Sequence, residues 1–185
     1  MNIYIVIPAH NEEHLIAKTL ASLVGQTVVP KKIVVANDNS TDRTELIVQE
    51  FIEKHPYITL VNTNAAKDHM PGSKVINAFY QGYNTLDNKY DIICKFDADL
   101  VFPNNYLERL IDHFDKNPKT GMFGGFCYIQ KNNKWILENL TNKDHIRGAL
   151  KAYRKSCFID IDGLKPAMGW DTVDELLAQY HHWEN

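Results

Sequence analysis

The sequence predicts an α/β fold: a mostly parallel sheet with helices on both faces, followed by a mixed α+β region. Three features of the chain predict it. Short apolar runs recur at Ile3–Ile7, Ile33–Ala36, Ile58–Val61 and Ile92–Cys94, and continuous runs of that length suit strands buried on both faces. Between them lie segments with apolar residues at helical spacing, so strand and helix alternate as they do around a parallel sheet. Past residue 100 the alternation gives way to glycine-broken and aromatic segments.

The first run, Ile3-Tyr4-Ile5-Val6-Ile7, is stopped by Pro8. Asn11-Glu12-Glu13 then opens a helix with Leu15, Ile16, Leu20 and Leu23 inward, and Asn11 is placed to cap it. Lys32-Ile33-Val34-Val35-Ala36 repeats the strand pattern. The polar turn Asn37-Asp38-Asn39-Ser40-Thr41-Asp42 leads into a second helix carrying Leu46, Ile47, Phe51 and Ile52 on its inner face. A third strand at Ile58–Val61, a third helix over Ser73–Tyr83 and a fourth strand at Tyr90–Phe96 complete the first half.

In the second half, Asn104–Phe114 has helical spacing, and Gly121–Ile129 reads as a strand kinked by glycine. Trp135–Leu137 is expected to be a strand, His145–Tyr153 a short helix, Cys157–Ile159 a short strand and Asp171–Tyr180 the final helix. No internal repeat, low-complexity tract or linker interrupts the chain, so residues 1–185 form one expected domain. The abrupt end at His181-His182-Trp183-Glu184-Asn185 favours a piece of a longer protein over a compact terminus.

The totals narrow the classes of function. A chain of 185 residues with 44% hydrophobic and 23% charged residues suits one soluble domain with a core of its own. A formal net charge of −3 provides no basic footprint for nucleic acid. Cys94, Cys127 and Cys157 are odd in number, widely spaced and set in apolar surroundings, which suits reduced core thiols in a cytoplasmic protein. No segment has the pattern of a signal peptide or the length of a membrane span, so membrane association would have to come from missing sequence or a partner, or be peripheral.

The candidate chemistry centres on Asp97-Ala98-Asp99, directly after the fourth apolar run. Residues i and i+2 of an extended segment point the same way, so both carboxylates can aim at one point. A divalent cation offsets their repulsion, and hard oxygen ligands favour magnesium, manganese or calcium over zinc. A solvated turn or a helix cap is the alternative use of such a pair. The clusters at Pro8–Glu12, Asn37–Ser40 and Asp97–Asp99 follow strands one, two and four, so they converge on one rim, where such sheets bind ligands.

Four ordered stretches carry a resemblance. Val6-Ile7-Pro8-Ala9-His10-Asn11-Glu12-Glu13, Val34–Asp42, Asp97-Ala98-Asp99 and Gly163–Leu176 together resemble the family 2 glycosyltransferases of the GT-A fold. The resemblance implies transfer of a sugar, with inversion, from a nucleotide diphosphate donor to a hydroxyl, with Mn2+ or Mg2+ as cofactor. A UDP-sugar is the first choice of donor, and a glycan, lipid-linked or polysaccharide molecule is the acceptor. It also implies a cytoplasmic location, with the inner face of the membrane as one site of work. Residues 1–100 would be the donor half and 101–185 the acceptor-side half.

By the same resemblance, Pro8, Ala9, His10 and Glu12 shape the floor under the nucleoside and Asp38 contacts base or ribose. Asn37 and Asn39 stand where the commoner pattern has Asp and Gly, which widens the choice of nucleobase. Lys74 and Asn77 open the third helix near the donor. Asp99 would bind the cation bridging the diphosphate, with Asp97 and Ala98 beside it and Asp97 acting as a second ligand or a ribose contact. Asp171 is the expected general base and Asp174 its reserve, both facing the cleft, although Trp170 replaces the usual neighbouring glutamate. Trp170, Arg147 and Arg154 are weaker acceptor-side candidates, with Tyr153 near them, and His181 and His182 weaker still as metal ligands. The rival from another class is a regulatory module that binds a nucleotide-sugar on this fold without catalysis. A dehydrogenase is disfavoured, since no Gly-x-Gly-x-x-Gly follows the first strand.

Overall fold

The computed structural model describes residues 1–63, 73–138 and 145–185. The strands are β1 (Ile3–Ala9), β2 (Lys32–Asn37), β3 (Ile58–Asn62), β4 (Ile92–Phe96), β5 (Met122–Phe123), β6 (Tyr128–Lys131), β7 (Lys134–Leu137) and β8 (Leu150–Arg154). The helices are α1 (Ile16–Val24), α2 (Thr44–Ile52), α3 (Ser73–Tyr83), α4 (Tyr106–Lys116), α5 (Lys155–Asp160) and α6 (Trp170–Tyr180).

Six strands form one sheet in the order β3-β2-β1-β4-β8-β5, while β6 and β7 pair only with each other. Strands β1 to β4 run parallel, and β8 enters antiparallel between β4 and β5. All of β1 and β4 is buried, Lys95 of β4 included, around the apolar runs Ile3–Ile7 and Ile92–Cys94. One apolar cluster gathers Ile16, Leu20, Leu107 and Phe114 against Ile5, Ile7 and Cys94. The other gathers Ile76, Phe79, Phe158 and Trp170 against Val6, Val34 and Ile93. The sheet therefore carries helices on both faces, as expected.

Several expectations need correction. Helix α1 starts at Ile16 without a side-chain cap, and Leu15 faces solvent. Asn11 instead has φ 55°, and its Oδ1 accepts from the Thr41 N–H at 2.8 Å, so it ties two loops together rather than capping a helix. In α2 the fully buried apolar residue is Val48, while Leu46 is exposed. The stretch expected as a helix at His145–Tyr153 ends in β8, whose Leu150, Lys151, Ala152 and Tyr153 are all buried. A lysine among them disguised the strand, because sequence periodicity assigns lysine to solvent.

Cys157–Ile159, expected as a strand, belongs to α5, where Cys157 and Phe158 are buried and Ile159 is exposed. Three apolar residues in a row cannot tell strand from helix. The Gly121–Ile129 strand is split into β5 and β6 around Gly124 and Gly125. A Cβ on Gly124 would stand 2.4 Å from Ile146 Cγ2 and 2.9 Å from the Leu150 carbonyl, so only glycine lets the chain pass there.

Candidate active site

The carboxyl ends of β1, β2 and β4 meet at one cavity of about 320 Å³. Pro8, Ala9, His10 and Glu12 line it from the end of β1, and Asp38 from the end of β2. Asp97, Ala98 and Asp99 close it after β4, and Lys74 reaches it from the first turn of α3. Nine residues singled out from the sequence thus share one wall.

Backbone and side-chain bonds fix this rim. The Asp38 N–H donates to the Ala9 carbonyl at 2.7 Å, and His10 Nδ1 lies 2.5 Å from the Asp38 carbonyl oxygen. Asp38 Oδ1 accepts from the Thr63 hydroxyl at 2.8 Å. Asn37 is buried and spans to Asn62 at 2.8 Å, tying the ends of β2 and β3 together rather than reaching a ligand. Asn39 has φ 53°, a left-handed conformation that glycine and asparagine adopt most readily, which accounts for an amide where glycine is commoner. Asp42 accepts from the Thr44 N–H at 2.9 Å and from its hydroxyl at 2.6 Å at the start of α2.

The acids of the cavity are unequally compensated. Asp97 pairs with the Lys95 ammonium, and its N–H donates to the Ala149 carbonyl at 2.8 Å. Lys95 is almost wholly buried and also donates to the Gly148 carbonyl at 2.9 Å. Asp99 is exposed and has no ion pair among the described residues. The Glu12 carboxyl is held above its ordinary range by burial first, then by the negative charges of Asp99 and Asp97.

That excess of carboxylate fits a hard divalent cation. Such ions commonly take one or two protein carboxylates and complete their shell with water and substrate phosphates. Asp99 is the carboxylate free to serve, with Asp97 beside it. Among the described residues no group of three potential ligands stands ready as a cage, and His181 and His182 are exposed at the far end of α6.

The acceptor-side candidates are not on this wall. Asp171 sits in the first turn of α6, about one-third exposed, with His145 Nε2 3.7 Å from its Oδ2. A Cβ on Gly148 would come within 3.1 Å of Asp171 Oδ2, and the Gly148 carbonyl in turn accepts from Lys95. Asp171 is therefore separated from Asp97 by one glycine and one lysine side chain.

Asp174, expected to face the cleft beside it, points into the core. It meets Lys151 Nζ at 2.8 and 3.0 Å and accepts from the Tyr153 hydroxyl at 2.5 Å. Burial raises its carboxyl above the ordinary range, against the pull of Lys151. Trp170 is buried too, with Lys95 Nζ 5.2 Å and Lys151 Nζ 5.7 Å from its ring, so it packs over two ammonium groups instead of offering a face to a sugar.

Arg147 pairs with Glu138. Arg154 lies at the opposite end of β8, bonded to the Thr120, Phe114 and Asn117 carbonyls, and braces the end of α4. Sequence reasoning passed over Lys95, Lys151, His145 and Glu175, which link the two acid groups. Lys95 and Lys151 face each other across the β4–β8 ladder. The one available signal was a lysine inside each otherwise apolar strand.

A second cavity, about 700 Å³ and mostly apolar, begins at Asp99 and runs between Phe102, Tyr106, Phe126, Tyr128 and Trp135. Asp99 belongs to both cavities.

Known proteins resemble this chain in sequence and in fold. A probable glycosyltransferase, YdaM, of Bacillus subtilis is 40% identical over 145 residues, covering 77% of this chain and 33% of the relative. The Escherichia coli UDP-Glc:alpha-D-GlcNAc-diphosphoundecaprenol beta-1,3-glucosyltransferase WfgD is 27% identical over 129 residues, 70% of this chain and 47% of the relative. The chain thus spans a third to a half of the length of these two relatives.

Among solved structures, the mannosyltransferase PcManGT of Pyrobaculum calidifontis, in complex with GDP-Man and Mn2+, superposes with a TM-score of 0.76 at 18% identity. That match covers 99% of this chain and 53% of the other. TarS 1-349 of S. aureus, in complex with UDP-GlcNAc, gives 0.69 at 18% identity over 96% of this chain and 54% of the other. These likenesses show a GT-A fold. The model of the family described as "Glycosyl transferase family 2" matches residues 4–164, and the chain belongs to that family.

Proposed function

We propose that this chain is the catalytic domain of a metal-dependent inverting glycosyltransferase. It moves a sugar from a nucleoside diphosphate donor, a UDP-sugar first, to a hydroxyl of a glycan, lipid-linked or polysaccharide acceptor. The observation that carries this reading is the cavity where nine expected residues from three strand ends and one helix meet. The nucleotide-sugars bound to PcManGT and TarS support the class of donor. Residues 1–100 form the donor half and residues 101–185 the acceptor-side half.

In this reading the Pro8–Glu12 loop and Asp38 orient the nucleoside, and Lys74 attracts phosphate. Asp99 and Asp97 would hold Mn2+ or Mg2+, which supplies Lewis-acid compensation for charge developing on the departing diphosphate. Lys95 keeps the Asp97 carboxylate in a fixed place. Asp171 accepts the proton of the attacking hydroxyl, as inversion requires of a base opposite the leaving group. Asp174, committed to Lys151 and Tyr153, serves the core instead.

The test is thermal stabilisation by UDP-, GDP- and TDP-sugars with and without manganese, repeated on Asp99→Asn. One nucleotide should stabilise the parent only when manganese is present, and Asp99→Asn should lose that increment. Equal stabilisation of both proteins would remove Asp99 from the cation site. Asp171→Asn should keep the increment and lose transfer, whereas a parent that binds donor and never transfers would be a regulatory module.

A further inference from the structure

Behind Asp171 lies a histidine that the chemistry above does not use. His145 stands just ahead of β8, with its side chain 18% exposed, against two acids of α6. Its Nδ1 lies 3.1 and 3.2 Å from the two carboxyl oxygens of Glu175, and its Nε2 lies 3.7 Å from Asp171 Oδ2. Asp171 and Glu175 are four residues apart, so they share one side of the helix. One imidazole ring thus joins a buried carboxyl to a partly exposed one.

The partners of Glu175 set the tautomer of that ring. Its Oε1 accepts from the Ile146 N–H at 2.9 Å and from Lys151 Nζ at 3.1 Å, so it is a carboxylate among donors. A carboxylate only accepts, so Nδ1 carries the hydrogen, and Nε2 of the neutral ring is left with a lone pair. That lone pair faces the Asp171 carboxylate, which is another acceptor. Two acceptors make no hydrogen bond, and 3.7 Å is beyond the reach of one. The gap lacks one proton. Lys151, the cation that reaches this group from β8, directs its ammonium to Asp174, Glu175 and the Asp171 carbonyl, which leaves the Asp171 carboxylate to His145.

We infer that His145 takes the proton onward from Asp171, a role that rests on the reading of Asp171 as the base. As the acceptor oxygen bonds to the sugar carbon, the bond from that carbon to the diphosphate oxygen breaks and its electron pair leaves with the diphosphate. The proton of the acceptor hydroxyl passes to the Asp171 carboxylate. Asp171 is then a donor facing a lone pair, and closing the gap by about 1 Å gives an ordinary hydrogen bond. Along it the proton moves to His145 Nε2, and from the partly exposed ring it leaves to water, returning Asp171 to its carboxylate form. Glu175 holds the ring in place and compensates the imidazolium while it lasts. His145 acts through Asp171 and is a positioning residue.

Two measurements test this. Nitrogen NMR of the labelled chain at mildly alkaline pH, with the His145 ring identified by its loss in His145→Gln, should show hydrogen on Nδ1 and a bare Nε2. Hydrogen on Nε2 would overturn the inference whatever the donor. The second measurement is release of nucleoside diphosphate from UDP-GlcNAc, UDP-Glc and GDP-Man with manganese, water standing in for the acceptor. His145→Gln and His145→Ala should keep the manganese-dependent stabilisation by nucleotide and the KM for donor, and lose roughly tenfold or more in kcat. Added imidazole should restore the rate of His145→Ala and not of His145→Gln, which a merely structural role would not produce. In Asp171→Asn the further change His145→Gln should cost nothing more, because the two groups act as a unit. Unchanged kcat in both His145 variants, or a loss that imidazole does not mend, would overturn the role of His145 and leave Asp171 as base. Full turnover in Asp171→Asn, or none in the parent, would remove the base and this inference with it.

Discussion

Asp171 and Asp174 lie one helical turn apart and have opposite environments. Asp174 is 1% exposed and faces Lys151, which is 0% exposed. Removing one partner of a buried ion pair leaves the other charge without compensation, at a cost of about 3–5 kcal/mol. Asp174→Ala should therefore lower the unfolding free energy by about that much, whereas Asp171→Asn, near the surface, should change it by less than about 1 kcal/mol. Chemical denaturation of the two variants checks this, and equal small losses would show that Asp174 is not the partner of Lys151. The sequence placed both acids at the start of a helix but could not separate them. Their difference depends on a lysine in a strand that looked helical, and long-range charge pairing leaves no trace in local spacing.

At the scale of elements, what was legible followed burial. Strands β1, β2 and β4 carry continuous apolar runs, in β4 the three residues Ile92–Cys94 ahead of its buried Lys95, and were found, together with the polar loops that make the donor cavity. Strand β8 was missed because its buried lysine breaks the apolar run, and α5 because only two of its residues face the core. Arg154 shows the consequence for function. The resemblance made it a weak acceptor-side candidate; at the end of β8 it satisfies three carbonyls around the end of α4. Arg154→Ala leaves those acceptors without their charged donor, so a loss of about 1–3 kcal/mol in stability is expected. Nucleotide-dependent stabilisation should keep its size in that variant. A lost nucleotide effect with unchanged basal stability would return Arg154 to the site.

For the whole molecule, the ionisable groups divide by the sign of their shift. On the acid side, Asp174 and Glu12 are raised, chiefly by burial, and their penalty is relieved as pH falls through their folded values. Asp87, bonded by Tyr4 and Lys32, and Asp162, bonded by Lys165, are lowered, and their contribution is lost as pH falls. The two sets oppose each other. On the alkaline side the shifts of the core thiols and phenols agree. Burial raises the Cys94 thiol and pushes Cys157 up to about 12. The hydrogen bond to Asp87, with burial, pushes Tyr4 up to about 12, and burial raises Tyr90, Tyr106 and Tyr153. Each of these groups holds its proton more tightly in the folded chain. Its stabilising contribution is therefore full below the ordinary value, 9 for the thiols and 10 for the phenols, and is lost as pH rises toward the folded value. Unfolding free energy should accordingly fall steeply from about pH 9 upward, and phenolate absorbance of the buried tyrosines should rise together with the loss of helical circular dichroism. Full tyrosine titration near pH 10 in a chain that keeps its dichroism would show that these rings are open to water. With them would go the packing of Tyr153 against Asp174, and the fixed position of α6 that the proposed role of Asp171 depends on.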